Sequence, residues 1–439
     1  MGTELDKKDV KADKPAKDAE QGKAARTVGA MYSFVRIILI FVLIGYLVWT
    51  LAKDNPKFKR IIDRFTTAQV PADRAGEMLS SSGETMGTFW NVKVYMPPKG
   101  WTVEKLTEAV REPLDRIDLM MSTYRPDSEV SRFNASESTD WFEVSLETAL
   151  VVKMARDVSE KTGGALDITV APLVNFWKFG PDKKPLEEFP SDDEIEKVRA
   201  KTGFRKLEVR INPPALKKSV PELSIDLSAI AKGYSVDLVV KALRDAGLEN
   251  FMVDVGGETY CAGSKGEKDA EAEGYRNEWL MAIEKPQPMS PGAEGESVDG
   301  ATPQFYRIVR VKDMAIATSG NARNAFMIGG KRFSHIIDPE RGRPTEFKDG
   351  APETGSVSVF GPECVMADAY ATALFVLGPD KGIELADSLE LPVLFILHSP
   401  DGGEGEGNEY ANGSGGYTER VSKKFSAIRA EKMTVSRRY

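Results

Sequence analysis

The sequence predicts an α+β fold, with mixed sheets and flanking helices that form one large body over residues 83–439. Three observations support this class. Short segments with alternating apolar residues, typical of strands, are interspersed with longer segments of helical spacing. The 439 residues are 41% hydrophobic and 29% charged, a composition that supports a full core. No internal repeat of fixed period is visible.

A single N-terminal membrane anchor is predicted before this body. Residues 1–30 are polar and Lys-rich, which predicts disorder. The apolar run IILIFVLIGYLVWTLA, extended upstream by residues 31–35, predicts a transmembrane helix within 31–52. A cleaved signal peptide is disfavoured because the polar leader is long and no small-x-small site follows; a buried core helix is the alternative. Residues 53–82 are predicted to form a charged stalk.

The strands and helices of the body follow in chain order. Residues 89–96 alternate apolar and polar side chains and predict the first strand. Helices are expected in TVEKLTEAVREPLDRIDLMMS, SLETALVVKMARDVSEKTGG, DDEIEKVRAKTG, MADAYATALFVLG and PDKGIELADSLE. A strand, a turn, a helix and a strand are expected in LSIDLSAIAKGYSVDLVVKALRDAGLENFMVDVGG, and further strands in RIVRVKDMAIATSG, SVSVFG and LPVLFIL. Gly-rich stretches near 286–304 and 401–416 are expected to be flexible insertions.

Charge and cysteine content argue against two classes of site. The net charge of −8 at pH 7 disfavours a protein that binds nucleic acid through a basic face. Cys261 and Cys364 are the only cysteines and lie far apart, so no zinc-type spacing is present. A disulfide between them would need an oxidising compartment, and two buried free thiols are the favoured interpretation.

Two helical segments carry candidate chemistry. Asp368 and Thr372 are four residues apart and would share one helix face, where they offer Mg²⁺ two oxygen ligands, too few for a site by themselves. Asp226 is expected at the end of a strand and Ser228 at a helix N-cap. Lys232 then falls in the first helical turn, where the helix dipole disfavours a cation unless an anion such as phosphate binds there.

Other polar residues stand at expected turns and strand ends. Tyr124 lies in the hydroxyl-rich stretch MSTYRPDSEVSRFN, and Asp167 follows small residues that allow close approach of a ligand. His335, one of only two histidines, precedes an Asp338-Pro turn, where it either caps the backbone or takes part in chemistry. His398 is expected to face solvent at the end of a strand.

Eight blocks of this sequence occur in a distinctive order: ETMGTFW, MSTYRPDSEVSRFN, GGALDITVAPLVNFWKFGP, IDLSAIAKGYSVD, VDVGGE, ATSGNARN, HIIDPERGRP and ADAYATALFVLG. Taken together, they resemble the ApbE family, the FAD:protein FMN transferases. The resemblance covers roughly residues 83–400 and leaves out the predicted anchor and the Gly-rich insertions. The resemblance implies an ApbE-like catalytic body that transfers the FMN part of FAD to a Thr or Ser hydroxyl of another protein, with Mg²⁺ as cofactor and AMP as the leaving product.

The resemblance also implies roles for individual residues. The metal ligands would be the side chains of Asp368 and Thr372 and the backbone carbonyl of Ala229, which are oxygen donors of the kind that Mg²⁺ prefers. His335 would accept the proton of the acceptor hydroxyl, since an imidazole titrates near neutral pH. Asp338 either orients this ring or only starts the turn.

FAD contacts are implied along much of the chain. The residues are Met86, Tyr124, Ala165, Leu166, Asp167, Asp226, Lys232 and Ile336. Tyr124 can flank a flat ring, the carboxylates can accept hydrogen bonds, and Lys232 can offset pyrophosphate charge. Ser319 and Gly320 are expected to border the same pocket.

Family members act mainly outside the cytoplasmic membrane of bacteria, so we expect a single-pass inner-membrane protein with its catalytic body on the periplasmic face. No cysteine precedes Cys261, so an N-terminal lipid is not expected and the apolar segment would be the tether. The expected partner is a redox-protein subunit that carries a Thr/Ser flavinylation motif. Two alternatives stay open: an FAD pyrophosphatase that uses water as acceptor, and a non-enzymatic, membrane-tethered flavin carrier.

Overall fold

The α+β class is confirmed. A computed structural model describes residues 78–180, 186, 188–265, 278–286, 305–320, 325–328, 331–346, 353–399 and 416–432. Within them the helices are α1 Val103–Met121, α2 Glu129–Ala135, α3 Leu146–Lys161, α4 Ala171–Phe176, α5 Asp192–Arg199, α6 Ala231–Asp245 and α7 Cys364–Ser388. The strands are β1 Met78–Thr85, β2 Thr88–Tyr95, β3 Phe142–Glu143, β4 Leu207–Ile211, β5 Pro214–Lys218, β6 Phe251–Val255, β7 Glu258–Ala262, β8 Trp279–Glu284, β9 Phe305–Val311, β10 Met314–Gly320, β11 Ala325–Ile328, β12 Lys331–Asp338, β13 Arg343–Glu346, β14 Glu353–Gly361, β15 Val393–Ser399, β16 Gly416–Val421 and β17 Arg429–Lys432.

An eight-stranded sheet organises the described residues, in the order β1-β2-β6-β7-β10-β14-β15-β16. Neighbouring strands in this sheet are antiparallel. Three smaller antiparallel sheets, each of three strands, have the orders β3-β5-β4, β11-β12-β13 and β17-β9-β8.

Both faces of the large sheet are buried. In β6, Phe251, Val253 and Val255 pack in one core with α1 and α6, whereas Met252 packs on the opposite face with residues of β8 and β9. A strand with two buried faces needs apolar side chains at nearly every position, which explains the run FMVDV. Helix α7 contacts β10 and β14, so it covers the other half of the sheet.

The predicted helices form where their periodicity is clear. The Thr102 hydroxyl accepts a hydrogen bond from the Lys105 amide (3.3 Å) and caps α1, and Leu106, Val110 and Leu114 lie on its buried face. Helices α3 and α5 also occupy predicted segments. In α7 the backbone breaks at Gly378 (φ 75°), between the two segments that the sequence predicts as separate helices.

Three predicted boundaries are corrected by tertiary contacts. Strand β1 begins at Met78, inside the predicted stalk, because it pairs along its length with β2. The predicted strand at 223–227 has no ladder partner within the described residues. Ser228 is not the N-cap of α6, since Ile230 holds that position and the helix begins at Ala231.

The structure corrects the predicted environment of His398. His398 is half-buried instead of facing solvent, and its ring meets the Tyr417 ring edge-on at a centroid distance of 5.3 Å. This contact forms because β16 pairs with the outer side of β15.

Cys261 and Cys364 are both buried free thiols, which confirms the favoured interpretation.

Several predictions fall outside the described residues. They include the disordered segment 1–30, the anchor at 31–52, residues 53–77 of the stalk and nearly all of both insertions. Among the helices that the structure does describe, none combines the length and apolar character needed to cross a membrane.

Candidate active site

Helices α6 and α7 meet closely at Gly233. A Cβ atom at this position would lie 2.4 Å from the Cys364 carbonyl oxygen and 2.8 Å from the Asp368 Cβ, so only glycine fits without a shift. The close approach lets the Gly233 amide donate to Asp368 Oδ2 at 2.9 Å. Asp368 is only 1% exposed. The helix pair therefore holds this predicted metal ligand beside the first turn of α6.

Lys232 lies between two buried carboxylates. Its Nζ is 3.4 Å from Asp368 Oδ2 and 3.2 Å from Glu258 Oε1, and it donates to the Ser228 carbonyl oxygen at 3.0 Å. Glu258 also accepts a hydrogen bond from the Thr318 amide (3.3 Å). One ammonium thus faces two carboxylates, and the cluster has a net negative charge when both acids are ionised. A bound cation would compensate that charge.

The pKa values in this cluster follow from burial and charge. Burial opposes the charge on Lys232, but the carboxylates of Asp368 and Glu258 outweigh it and raise the pKa of the ammonium above its ordinary value. Burial, together with the charge of Asp368, raises the pKa of Glu258 to about 8.

The oxygen atoms implied as metal ligands suit Mg²⁺ in type. Asp368 and Thr372 lie one turn apart on α7, and Thr372 Oγ1 is 3.1 Å from Ser319 Oγ on β10. Asp368 Oδ1 is 3.5 Å from Lys232 Nζ, a weak contact that leaves the oxygen with acceptor capacity. No group of three His, Cys, Asp or Glu side chains that could hold a metal occurs in the described part of the chain. A Mg²⁺ site here would thus need the Thr372 hydroxyl and a carbonyl such as that of Ala229.

Tyr124 and Asp226 interact electrostatically although they are far apart in sequence. Tyr124 is 62% exposed in the loop between α1 and α2. Partial desolvation of the phenol and the charge of Asp226 both raise the pKa of Tyr124. The Asp226 carboxylate accepts hydrogen bonds from the Ser228 amide (2.8 Å) and hydroxyl (2.5 Å). An exposed ring beside a carboxylate is suited to contact a flat heterocycle with polar edges.

Asp167 connects two backbone turns. Its carboxylate accepts hydrogen bonds from the Thr169 amide (2.8 Å), the Thr169 hydroxyl (2.6 Å) and the Phe204 amide (2.8 Å). Burial raises the pKa of Asp167, and these hydrogen bonds act in the opposite direction. Leu166 is buried in the core and Ala165 packs against it. The run 165–167 thus supports the local backbone, and its contact with FAD stays a prediction.

Met86 and Gly87 form the two-residue turn between β1 and β2. Both have positive φ angles, 47° and 69°, as a type I′ hairpin turn requires. This conformation is uncommon for methionine and is often found at functional sites. Thr88 follows the turn and borders Gly256, at which a Cβ would lie 2.9 Å from Thr88 Cγ2 and 3.4 Å from Lys232 Cδ. The hairpin turn therefore lies beside the Lys232 cluster.

His335 is half-buried on β12, a strand that contacts α7. Ile336, the next residue, packs in the core that also contains residues of α7. The Asp338 carboxylate accepts hydrogen bonds from the amides of Glu340 (3.0 Å) and Arg341 (3.2 Å). Asp338 thus starts a turn, which is one of its two predicted roles.

Glu258 and Gly233 are positions in the candidate site that sequence reasoning missed. Glu258 is the first residue of ETYCA, a strand that is buried throughout, and a carboxylate in such a strand signals a special environment. Gly233 lies inside a helix, where glycine is unfavourable by about 1 kcal/mol relative to alanine unless packing requires it. Both features can be read in the sequence, but only the tertiary structure brings Gly233 and Asp368 together.

Comparisons with known proteins show which family the chain resembles. A family model described as the ApbE family matches residues 86–395. The chain is 41% identical over 342 residues to the FAD:protein FMN transferase of Vibrio cholerae serotype O1, covering 78% of this chain and 93% of that protein. It is 35% identical over 329 residues to the FAD:protein FMN transferase of Escherichia coli strain K12, covering 74% and 86%.

Solved structures of similar proteins have the same fold. The flavin transferase ApbE from Vibrio cholerae superposes with a TM-score of 0.65 at 38% identity, over 80% of this chain and 99% of that chain. The apo form of the Pseudomonas stutzeri flavinyl transferase ApbE gives a TM-score of 0.64 at 31% identity, over 80% and 96%. The family match spans the Met86 turn, Lys232, His335 and Asp368. The chain therefore belongs to the ApbE family.

Proposed function

We propose that this protein transfers the FMN part of FAD to a Thr or Ser hydroxyl of an acceptor protein and releases AMP, with Mg²⁺ as cofactor. The main structural support for this proposal is the buried cluster of Asp368, Lys232 and Glu258 beside the Thr372 hydroxyl. It combines an ammonium suited to phosphate with an excess of carboxylate suited to a divalent cation. The relatives named FAD:protein FMN transferase support the same chemistry.

In this mechanism the residues position FAD and neutralise its phosphates. Lys232 offsets pyrophosphate charge from the first turn of α6, and Tyr124 and Asp226 contact the flat, polar parts of the nucleotide. Bound Mg²⁺, held by Asp368, Thr372 and the Ala229 carbonyl, would supply further charge neutralisation at the phosphates.

Transfer to the acceptor exchanges one phosphorus–oxygen bond for another. The acceptor hydroxyl oxygen bonds to the FMN phosphorus, the bond from that phosphorus to the AMP oxygen breaks, and the hydroxyl proton passes to His335. An imidazole suits this step because its ordinary pKa lies near ~6.5. The product is a phosphodiester between FMN and the acceptor protein.

The cellular setting forms part of the proposal. The apolar run at residues 37–52 would tether the protein to the bacterial inner membrane, with the catalytic body on the periplasmic face. The acceptor would be a redox-protein subunit with a Thr/Ser flavinylation motif on the same side. An alkaline-phosphatase fusion after residue 52 tests this, and a cytoplasmic body would contradict it.

The direct test uses FAD, Mg²⁺ and a fragment of a candidate acceptor subunit. AMP release is followed by chromatography, and the acceptor is examined for flavin fluorescence on a denaturing gel. AMP together with a fluorescent acceptor band is the expected result. AMP without a band, over several acceptors, would replace transfer by hydrolysis of FAD, and FAD binding without AMP would indicate a flavin carrier.

A further inference from the structure

Residues 223–230 form the segment that carries Asp226 and Ala229, and its Ser228 carbonyl oxygen accepts a hydrogen bond from Lys232 Nζ at 3.0 Å. Leu223, Ile225 and Leu227 alternate with more exposed residues and are at most 1% exposed. This pattern is that of a strand, yet the segment pairs with no strand among the described residues. Its backbone N–H and C=O groups therefore need other partners to hold it in place.

Asn134, in the last turn of α2, supplies the central pair of hydrogen bonds. Its Nδ2 donates to the Ile225 carbonyl oxygen at 2.8 Å, and its Oδ1 accepts from the Ile225 amide at 2.7 Å. One side-chain amide thus binds both polar groups of a residue next to Asp226, as a neighbouring strand would. The Asp226 amide itself donates to the Ile168 carbonyl oxygen at 2.7 Å.

Lys218 supports the beginning of the same segment. Its side chain is fully buried, and Nζ donates to the carbonyl oxygens of Leu223 (3.0 Å) and Phe133 (3.3 Å). The ammonium therefore joins the segment to the end of α2, immediately before Asn134. Asn134 and Lys218 thus anchor a backbone segment that pairs with none of the described strands.

The opposite end of α2 holds the loop that carries Tyr124. The hydroxyl groups of Ser128 and Ser131 both donate to the Ser122 carbonyl oxygen, at 2.6 and 3.2 Å. A single seven-residue helix is thus bonded to the loop of Tyr124 at one end and to the segment of Asp226 at the other. Tyr124 and Asp226 are the pair that lie close enough to interact electrostatically.

We propose that Asn134 is a positioning residue for flavin transfer: its two hydrogen bonds to Ile225 set the placement of the Asp226 carboxylate and the Ala229 carbonyl relative to Tyr124 and α7. The inference rests on the proposed function. Asn134 touches neither FAD nor metal in this scheme, and it acts through the backbone of residues 225–229. Lys218 is the second anchor of the same segment.

The test compares wild type with Asn134→Asp in the whole protein. This variant keeps the acceptor for the Ile225 amide, but it sets a carboxylate oxygen against the Ile225 carbonyl and loses one hydrogen bond. We expect the Kd for FAD and the Mg²⁺ concentration for half-maximal thermal stabilisation to rise by about 10-fold or more, as for other outer-shell partners. Hydrogen exchange should accelerate at the amides of Ile225 and Asp226 and remain unchanged in β6.

Asn250→Asp is the matched control. Asn250 Oδ1 accepts one hydrogen bond from the Ser264 amide (2.8 Å) in a part-buried turn between strands. The control keeps the acceptor for the Ser264 amide, and unchanged FAD and Mg²⁺ affinity is expected for it. If Asn134→Asp behaves in the same way, or if exchange at Ile225 is unchanged, the positioning role is refuted. Wild-type protein that binds FAD but releases no AMP would instead refute the proposed function.

Discussion

Replacing Gly233 by alanine tests whether close packing of α6 on α7 sets the geometry of the cation site. The new Cβ would stand 2.4 Å from the Cys364 carbonyl oxygen and 2.7 Å from its carbonyl carbon. These are backbone atoms of the neighbouring helix, so no side-chain rotation can relieve the contact. The helices would have to separate by about 1 Å for the nearest contact to reach the ordinary value of 3.4 Å.

The expected free-energy change has two opposing parts. Overpacking of a well-packed interface costs about 1–3 kcal/mol, and contact with rigid backbone places Gly233→Ala at the upper end. Alanine favours the helical state by about 1 kcal/mol relative to glycine. The net loss in the free energy of unfolding should therefore be about 2 kcal/mol. The shift also stretches the hydrogen bond from the Gly233 amide to Asp368, so Mg²⁺ affinity should fall as well.

Urea unfolding with and without Mg²⁺ measures both effects. Gly361→Ala is the control, because a Cβ there has its nearest contact at 3.9 Å, from the Glu363 carbonyl oxygen. The control should have the stability and Mg²⁺ response of wild type. A Gly233→Ala protein as stable as wild type, with the same Mg²⁺ response, would refute the claim that this contact positions Asp368.

Three further predictions concern single residues. Asp368→Asn, which keeps an acceptor for the Gly233 amide, should lose Mg²⁺-dependent turnover and the thermal shift caused by Mg²⁺; wild-type activity with Mg²⁺ as the sole divalent ion would contradict this. His335→Ala should slow flavin transfer by about 10²–10⁴-fold while the Kd for FAD, read by flavin fluorescence, changes much less. Equal losses would make His335 a binding residue. Burial raises the pKa of Asp237 from 3.8 to about 6, although it accepts hydrogen bonds from the Cys364 and Val365 amides. The folded state then binds this proton more tightly than the unfolded state, so Asp237 makes the free energy of unfolding fall as pH rises through that range. In Asp237→Asn, urea unfolding across the same range should lack this contribution; an unchanged pH dependence would argue against it.

Local patterns were sufficient for the elements whose periodicity is regular. Helices α1 and α3 and strands β2 and β15 occupy predicted segments, because apolar spacing and caps are properties of the segment itself. The spacing of Asp368 and Thr372 likewise predicts one helix face before any tertiary structure is known. Lys232 remains in a first helical turn even though α6 begins later than predicted.

Features that depend on distant parts of the chain could not be predicted in this way. The run LSIDL alternates like a strand, but Asn134 of a helix 91 residues away takes the place of a neighbouring strand. His398 is half-buried because Tyr417 lies on a strand that follows the second insertion. Glu258 belongs to the candidate site because of its ion pair with Lys232, a contact that the sequence does not reveal.

The hydrogen bond between Gly233 and Asp368 joins residues that are 135 positions apart in the chain. Contacts of such long range form late in folding, because a long loop must close before they add stability. During synthesis from the N-terminus, the chain must also extend beyond Thr372 before all the proposed cation ligands exist. We therefore expect nascent and truncated chains that end before α7 to lack cation affinity, which would delay the appearance of activity until the body is nearly complete.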